Sequence, residues 1–476
     1  MAVEESLQFN WFEIKSNLTD ERIDLRAGIA EVEYRESIFS PYIELTAQLV
    51  DVGNTVKVEG SSDEGVGLLD AEIGEGTEEI IFEIQDNKGN KVSLANEDGL
   101  DLRVSSVTSI KQSFQNQSFT LTAVAKEAFD NTLLMNRCRK QYSGKISDLV
   151  ESIVKTDLKS KNPIETDLTQ NQYHEWGNER YPFEMILDLQ KLAIPAELQT
   201  TQGKNALGQT AGYLFWQTST GFKFKSIDKL FDTTDKEIKI FVESKKAQSE
   251  GLPIVSLIGE QSLKTQQADG KILYSYSMRS INALEQFESG ARGSMLEVYN
   301  PNLPAEEQYS FNPLAVEINE EGKTTGNGVT GSRNLPIFNS EYKDGQTNGA
   351  LLTTIERTRA AFSPVKGQET VEKQVESTPE LNYDVNNIFQ QTHQSYRQKL
   401  NVFREVIVEA DLSLHAGDLV YCEFEEMSTK VTSYGSRVRE SGIYMIADLC
   451  HYGNPTQAFT GLNLVRDGYG VKDLES

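Results

Sequence analysis

The four histidines of the 476-residue chain, His174, His393, His415 and His451, are scattered, and none stands beside a partner that would make it reactive. His174-Glu175 opens like the helical zinc-protease signature, in which two imidazoles four residues apart grip the metal from one helical face. The second imidazole belongs at 178, where the chain has Asn178. Gly203-Lys204 is followed by Asn205 with no glycine-rich cradle before it, so a phosphate-binding loop is not supported, and no Gly-x-Ser-x-Gly elbow occurs. Paired carboxylates could cleave glycosidic bonds. With 72 acidic residues, however, close pairs arise by chance, and Glu423, Glu425 and Glu426 read as a solvated strand edge. Asp418 has no acid or base partner nearby in sequence. It reads as a turn residue whose carboxylate accepts backbone N–H groups, beside a Gly417 suited to positive φ. The aromatic set Trp176, Tyr181, Phe183, Tyr213, Phe215 and Trp216 reads as packing of a helix onto a hairpin rather than as a ligand box. No catalytic, metal or cofactor site is expected.

Composition narrows the class. Cys138, Cys422 and Cys450 are odd in number and widely spaced, which argues against a disulfide scaffold or a zinc ribbon. No run approaches the roughly 18 apolar residues of a membrane span. Met1-Ala2-Val3-Glu4-Glu5 lacks the basic start of a secretory leader, so a soluble protein made in a cytosol, with no membrane insertion, is expected. Lys and Arg number 46 against 72 acidic residues, a net charge of −26 that repels phosphate and excludes nucleic-acid binding as a first reading. The same charge would suit a conduit that nucleic acid passes without sticking.

The elements follow from periodicity. From Leu7 to Val124 apolar residues alternate, as in Ile43, Leu45, Ala47 and Leu49, and Asp86-Asn87-Lys88-Gly89-Asn90 forms a hairpin turn. The acidic segment Ser61 to Glu79 reads as a solvated hairpin tip. The period then becomes helical: Ala125 to Leu134, then Ile146, Leu149, Val150, Ile153 and Val154 behind Ser143 as cap, then a helix led by Tyr181-Pro182-Phe183. Tyr213 to Gln217 and Phe222 to Ser226 make a hairpin across Gly221. Strands resume at Lys271 to Met278 and Met295 to Tyr299, and Asn300 to Asn348 reads as exposed loops. Helices are expected over Leu351, Ile355 and Phe362 and over Val385 to Tyr396, joined by a linker from Ser363 to Pro379. A four-stranded meander runs from Leu400 to Asp467. Gln117-Ser118-Phe119-Thr120-Leu121 echoes Gln457-Ala458-Phe459-Thr460-Gly461, which raises a duplication of the β unit.

The order of these elements resembles a known family. Glu179-Arg180-Tyr181-Pro182-Phe183 leading a helix and then a hairpin with Gly221, together with Leu414-His415-Ala416-Gly417-Asp418, Ser441-Gly442-Ile443-Tyr444 and Leu464-Val465-Arg466-Asp467, resembles the baseplate central hub of T4-type contractile-tail phages. It is also similar to the hub region of type VI secretion VgrG proteins. Tyr181, Pro182, Phe183, Gly221, Gly417, Asp418, Gly442, Tyr444 and Arg466 are the structural hallmarks.

The resemblance implies a mainly β fold with α+β inserts. It comprises two tail-tube-like antiparallel barrels (1–124, and 251–299 with 400–470), a helix-hairpin insert (125–250) and a loop and helix excursion (300–399). It further implies a homotrimeric adaptor between a six-fold tail tube and a three-fold central spike, lining the DNA ejection channel. The partners would be a spike protein, a tube or tube-initiator protein and other baseplate proteins, in a virion assembled in the bacterial host cytoplasm. A tail-tip cell-wall hydrolase and a receptor- or carbohydrate-binding tail protein are the other readings.

Overall fold

The computed structural model describes residues 7–17, 22–52, 76–94, 100–112, 116–169, 172–196, 211–233, 236–243, 270–277, 293–299, 309–315, 317–318, 324–325, 350–355, 392, 395–396, 400, 402–424 and 441–466. The first β unit comprises β1 (Gln8–Lys15), β2 (Arg22–Asp24), β3 (Ile29–Ser37), β4 (Glu44–Val52), β5 (Glu79–Gln85), β6 (Lys91–Leu94), β7 (Leu102–Gln112) and β8 (Asn116–Ala125). Alternation in β4 and β8 buries Leu45, Ala47 and Leu49 against Phe119, Leu121 and Ala123 while Thr46 and Gln48 stay outside. The sheet curls around one core in the order β2-β1-β5-β7-β8-β4-β3. Asp86 organises the β5–β6 turn by accepting the N–H groups of Lys88 and Asn90.

The insert follows with α1 (Lys126–Thr132), β9 (Gln141–Lys145), α2 (Ile146–Ser152), β10 (Ile164–Thr166), β11 (Gln172–Trp176), α3 (Pro182–Leu189), β12 (Tyr213–Thr218), β13 (Gly221–Ser226) and α4 (Ile227–Leu230). Ser143 is not a cap: it lies in β9 opposite His174, and α2 starts behind Lys145 without a side-chain cap. Pro182 opens α3, where the missing N–H costs nothing.

The second unit is a closed six-stranded barrel of β14 (Lys239–Val242), β15 (Gly270–Ser277), β21 (Val402–Glu409), β22 (Leu419–Glu423), β23 (Gly442–Gly453) and β24 (Ala458–Arg466). Closure comes from β14, which lies parallel to both β15 and β22, while β23 pairs with β24 on the other side of the ring. The chain between β15 and β21 contributes β16 (Gly293–Tyr299), β17 (Tyr309–Ala315), β18 (Glu317–Ile318), β19 (Thr324–Thr325) and β20 (Ala350–Ile355).

Three expectations are corrected here. Met295–Tyr299 pairs with β17 and β20 in a separate sheet rather than in the barrel. Leu351–Ile355 is strand, not helix, because its β-branched threonines and isoleucine suit an extended partner of β16. The stretch read as loop contains β17, β18 and β19. Thr392, Ser395 and Tyr396 are helical as expected. The rest of the helix over 385–396, Phe362, the linker 363–379, His393, Glu425 and Glu426 lie outside the described residues, as does the segment 61–75.

The two β units repeat each other. In chain order β1, β3, β4, β5, β7 and β8 match β14, β15, β21, β22, β23 and β24. Their neighbours match as well, β3-β4-β8-β7-β5-β1 against β15-β21-β24-β23-β22-β14. So do two irregularities: an extra residue between Ile29 and Glu31 in β3 and between Ile272 and Tyr274 in β15, and another between Val104 and Ser106 in β7 and between Ile446 and Asp448 in β23. Bulges are set by local register, so their recurrence at matching positions is stronger evidence of duplication than the short sequence echo. The units differ in the sense of one shared pairing, since β1 is antiparallel to β5 and β14 is parallel to β22, and in the closing pair β14–β15. Among the described residues β1 and β3 do not pair; β3 instead joins β23 of the second unit, Ser37 opposite Asp448 and Val32 opposite Gly453.

Candidate functional site at the junction of the two barrels

Where β3 meets the second barrel, Val32, Tyr34 and Glu36 share the buried face of one strand. The Glu36 side chain has 0% exposure, and its carboxylate is held from three parts of the chain. Tyr34 Oη donates to it at 2.8 Å, the Ser219 N–H from the β12–β13 turn at 2.9 Å and the Ala416 N–H at 3.0 Å, while His415 Nδ1 lies 3.2 and 3.3 Å from its two oxygens. Burial alone would raise the Glu36 carboxyl, but the facing His415 and the two backbone N–H groups outweigh it and hold it below the usual glutamate value. Burial alone would lower His415, but Glu36 raises it above an ordinary histidine. The result is a hydrogen-bonded ion pair whose carboxylate is fully buried and held from three parts of the chain, which is the chemistry of a fastener.

The turn after β21 is shaped to reach this carboxylate. Gly417 takes φ +94°, and its N–H donates to the Ile446 carbonyl at 2.8 Å. Asp418 Oδ2 accepts the His415 N–H at 2.9 Å; burial raises the Asp418 carboxyl and that N–H opposes the rise. Trp216 of β12 donates Nε1–H to the Ala416 carbonyl at 3.0 Å. Around this turn Ala410 and Leu412 pack into the core of the first unit. Leu412 N–H donates to Asp86 at 3.1 Å, and Lys239 reaches Asp411 at 2.6 Å.

The remaining hallmarks form separate supports. Tyr181 precedes Pro182 at the start of α3 and sits half-exposed under the Arg137 guanidinium, 4.4 Å from the ring centroid. Phe183 enters the insert core between Phe215 and Phe222, with centroids 6.1 and 6.4 Å away. Trp216 points to the junction instead, and Trp176 is 48% exposed. Gly221 has φ +120°, and a Cβ there would lie 2.5 Å from the Pro163 carbonyl oxygen. Arg466 stacks 4.9 Å from the Tyr444 ring centroid, and a Cβ on Gly442 would lie 3.0 Å from its guanidinium. Of the hallmarks, Asp418 bonds a member of the Glu36 cluster, the His415 N–H, and Gly417 shapes the turn that carries it. Nothing in the alternation of β3 marks Glu36; a carboxylate in phase with Val32 and Tyr34 is the one signal it leaves. Among the described residues no group of His, Cys, Asp and Glu could hold a metal ion.

His451, stacked on Tyr34 with centroids 6.0 Å apart, accounts for a pH dependence. Burial pushes its imidazole down to about 4, so the unfolded chain takes up the proton first. The stability it permits above about pH 6.5 is lost as pH falls towards 4, about 2 kcal/mol between pH 7 and pH 5. His415 has the opposite sign, because its raised value contributes fully below about pH 6.5 and is lost as pH rises through the folded value. A His451→Gln variant keeps only the second dependence. Urea unfolding should find it more stable near pH 5.5 than near pH 8, and continued acid weakening would remove His451 as the cause.

No protein-family model matches the chain, and no characterised protein matches it in sequence. Its fold is similar to that of the 43 kDa tail protein of prophage MuSo2 from Shewanella oneidensis, with TM-score 0.50 and 9% identity over 96% of this chain and 98% of that one. A tail protein from Neisseria meningitidis MC58 gives TM-score 0.47 and 9% identity, covering 96% and 97%. The E. coli c3393 protein, a component of the type VI secretion system, gives 0.36 and 8%, covering 97% and 76%. The tail-protein likeness in the sequence motifs is thus present in the fold, a mainly β chain with a closed barrel.

Proposed function

We propose that the chain is the baseplate hub of a contractile tail: a homotrimer that adapts a six-fold tube to a three-fold central spike and has no catalysis of its own. The observation that carries this reading is the collinear duplication, because three chains of two matching β units present six matching positions to a tube. Spike, tube or tube-initiator and other baseplate proteins would be its partners, in the tail of a virion. The net charge of −26 supports passage of DNA through the ring without binding. The buried Glu36 carboxylate, held by His415 and by two backbone N–H groups, supports a structural role for this acid and imidazole at the junction.

The test is native mass and image. A mass about three times 53.3 kDa and an open three-fold ring, alone or with spike protein, are expected. A chain that stays monomeric and joins neither tube nor spike protein overturns the reading, as does release of soluble fragments from purified peptidoglycan by the pure chain.

A further inference from the structure

The repeated unit makes one contact within the chain whose counterpart is left open. β3 uses its edge away from β4 to pair with Asp448–Gly453 of β23. The strand matching β3 is β15, whose edge away from β21 is taken by β14 only at Gly270 and Lys271. The strand matching β23 is β7, whose edge away from β8 meets β5 only at Leu102 and Arg103, with Val104 bonded to Thr77 and Glu78. Among the described residues, Ser105–Gln112 of β7 and Ile272–Ser277 of β15 therefore present strand edges with no backbone partner on that side.

Both edges have the surface of a contact rather than of a solvated wall. Leu273, Tyr274 and Tyr276 are 52%, 52% and 54% exposed on β15, and Ile110 is 54% exposed on β7. In a chain of net charge −26, neither segment contains an acidic residue and Lys111 is their one charged residue; the one described carboxylate bonded to them is Glu243, which accepts the Ser275 hydroxyl at 2.7 Å. Two such chains repel one another over most of their surfaces, so they meet most readily where carboxylates are few. The second bulge of β7, with Ser109 at φ +55°, and Lys111 blunt the edge against indiscriminate strand addition while leaving room for one matched partner.

We infer that β7 of one copy pairs with β15 of the next, repeating between chains the β3–β23 joint made within each. Carried over to the matching strands, the register that sets Tyr34 opposite His451 and Val32 opposite Gly453 puts Ser275–Ser277 opposite Ser109–Gln112. Exposed Tyr276 and Ile110 then fall within about a residue of each other. The contact is head-to-tail, so it cannot make a two-fold dimer, and in the trimer it closes into a ring of three. It rests on the trimeric reading above and names the surfaces that build it.

Cysteine pairs separate the two claims. Ile110→Cys and Tyr276→Cys in one chain should give, on mild oxidation, covalent species of up to three chains and no larger. Each single variant should give none, and a mixture of the two single variants should give two-chain species only. A native mass of three chains, with no cross-link from this pair or from Lys111→Cys with Tyr276→Cys, overturns the β7–β15 pairing and leaves the hub reading standing. Cross-linking by either single variant overturns it too, because it signals a two-fold contact. A monomer at every concentration, with tube and spike proteins added, overturns both. Because both positions are more than half exposed, the reduced variants should melt as the parent does. As a check without oxidation, Ile110→Asp should weaken trimer formation at least tenfold, and an unchanged assembly constant overturns the pairing.

Discussion

Gly417→Val is expected to destabilise the junction, at a cost on the order of 2 to 5 kcal/mol. Two effects add. A β-branched residue at φ +94° is strained by about 1 to 2 kcal/mol. A Cβ there would also stand 2.6 Å from Cζ2 of Trp216, a ring that is 2% exposed and fixed by its bond to the Ala416 carbonyl, so overpacking adds about 1 to 3 kcal/mol. Asp418→Ala one residue later removes a single acceptor for the His415 N–H at an exposed position, so about 1 kcal/mol is expected. Urea unfolding followed by tryptophan fluorescence measures both. Equal small losses for the two variants would show that the turn yields easily and that Gly417 is not required by its conformation.

That turn shows what a sequence can and cannot reveal. Gly417-Asp418 was legible because a glycine and a turn acid lie side by side, and the bonds that matter run to His415 and Ile446. The strands of the first unit and the Leu400–Asp467 meander were legible because hairpin neighbours share one alternation. β14 was not, because four residues lying parallel to two strands leave no turn signal, and a barrel closed by parallel partners cannot be seen in hairpin spacing. β20 is misread because six residues with apolar positions at either end fit both periods. Glu36 was invisible because its donors Ser219 and Ala416 lie 183 and 380 positions away. The duplication was legible only as one short echo, since paired bulges appear in register and not in composition.

Glu36→Ala should loosen the same junction from the other side. Removing the carboxylate leaves the Ser219 and Ala416 N–H groups and the Tyr34 hydroxyl buried without their acceptor, and His415 without its counter-charge. Breaking one side of a buried ion pair costs about 3 to 5 kcal/mol. Glu36→Gln should cost less than Glu36→Ala, because one oxygen can still accept, but its amide N–H2 faces donors and cannot replace the second. The change also has a spectroscopic sign: Glu36 is what raises His415, so the imidazole titration of His415 should move to lower pH in either variant. A double-mutant cycle with His415→Ala isolates the pair, and a coupling near zero would show that the backbone N–H groups alone hold Glu36. Since Glu36, Ser219 and Ala416 come from the first unit, the insert and the second barrel, loss of this carboxylate should expose the segments between them to protease before any strand unfolds. In a trimer built on matching barrels, that loosening should lower the assembly yield more than it lowers β-sheet content. Such a ring would require the two units of each chain to hold one fixed orientation, and the Glu36 junction, with the apolar cluster of Ile38, Trp216 and Met445, joins all three parts of the chain.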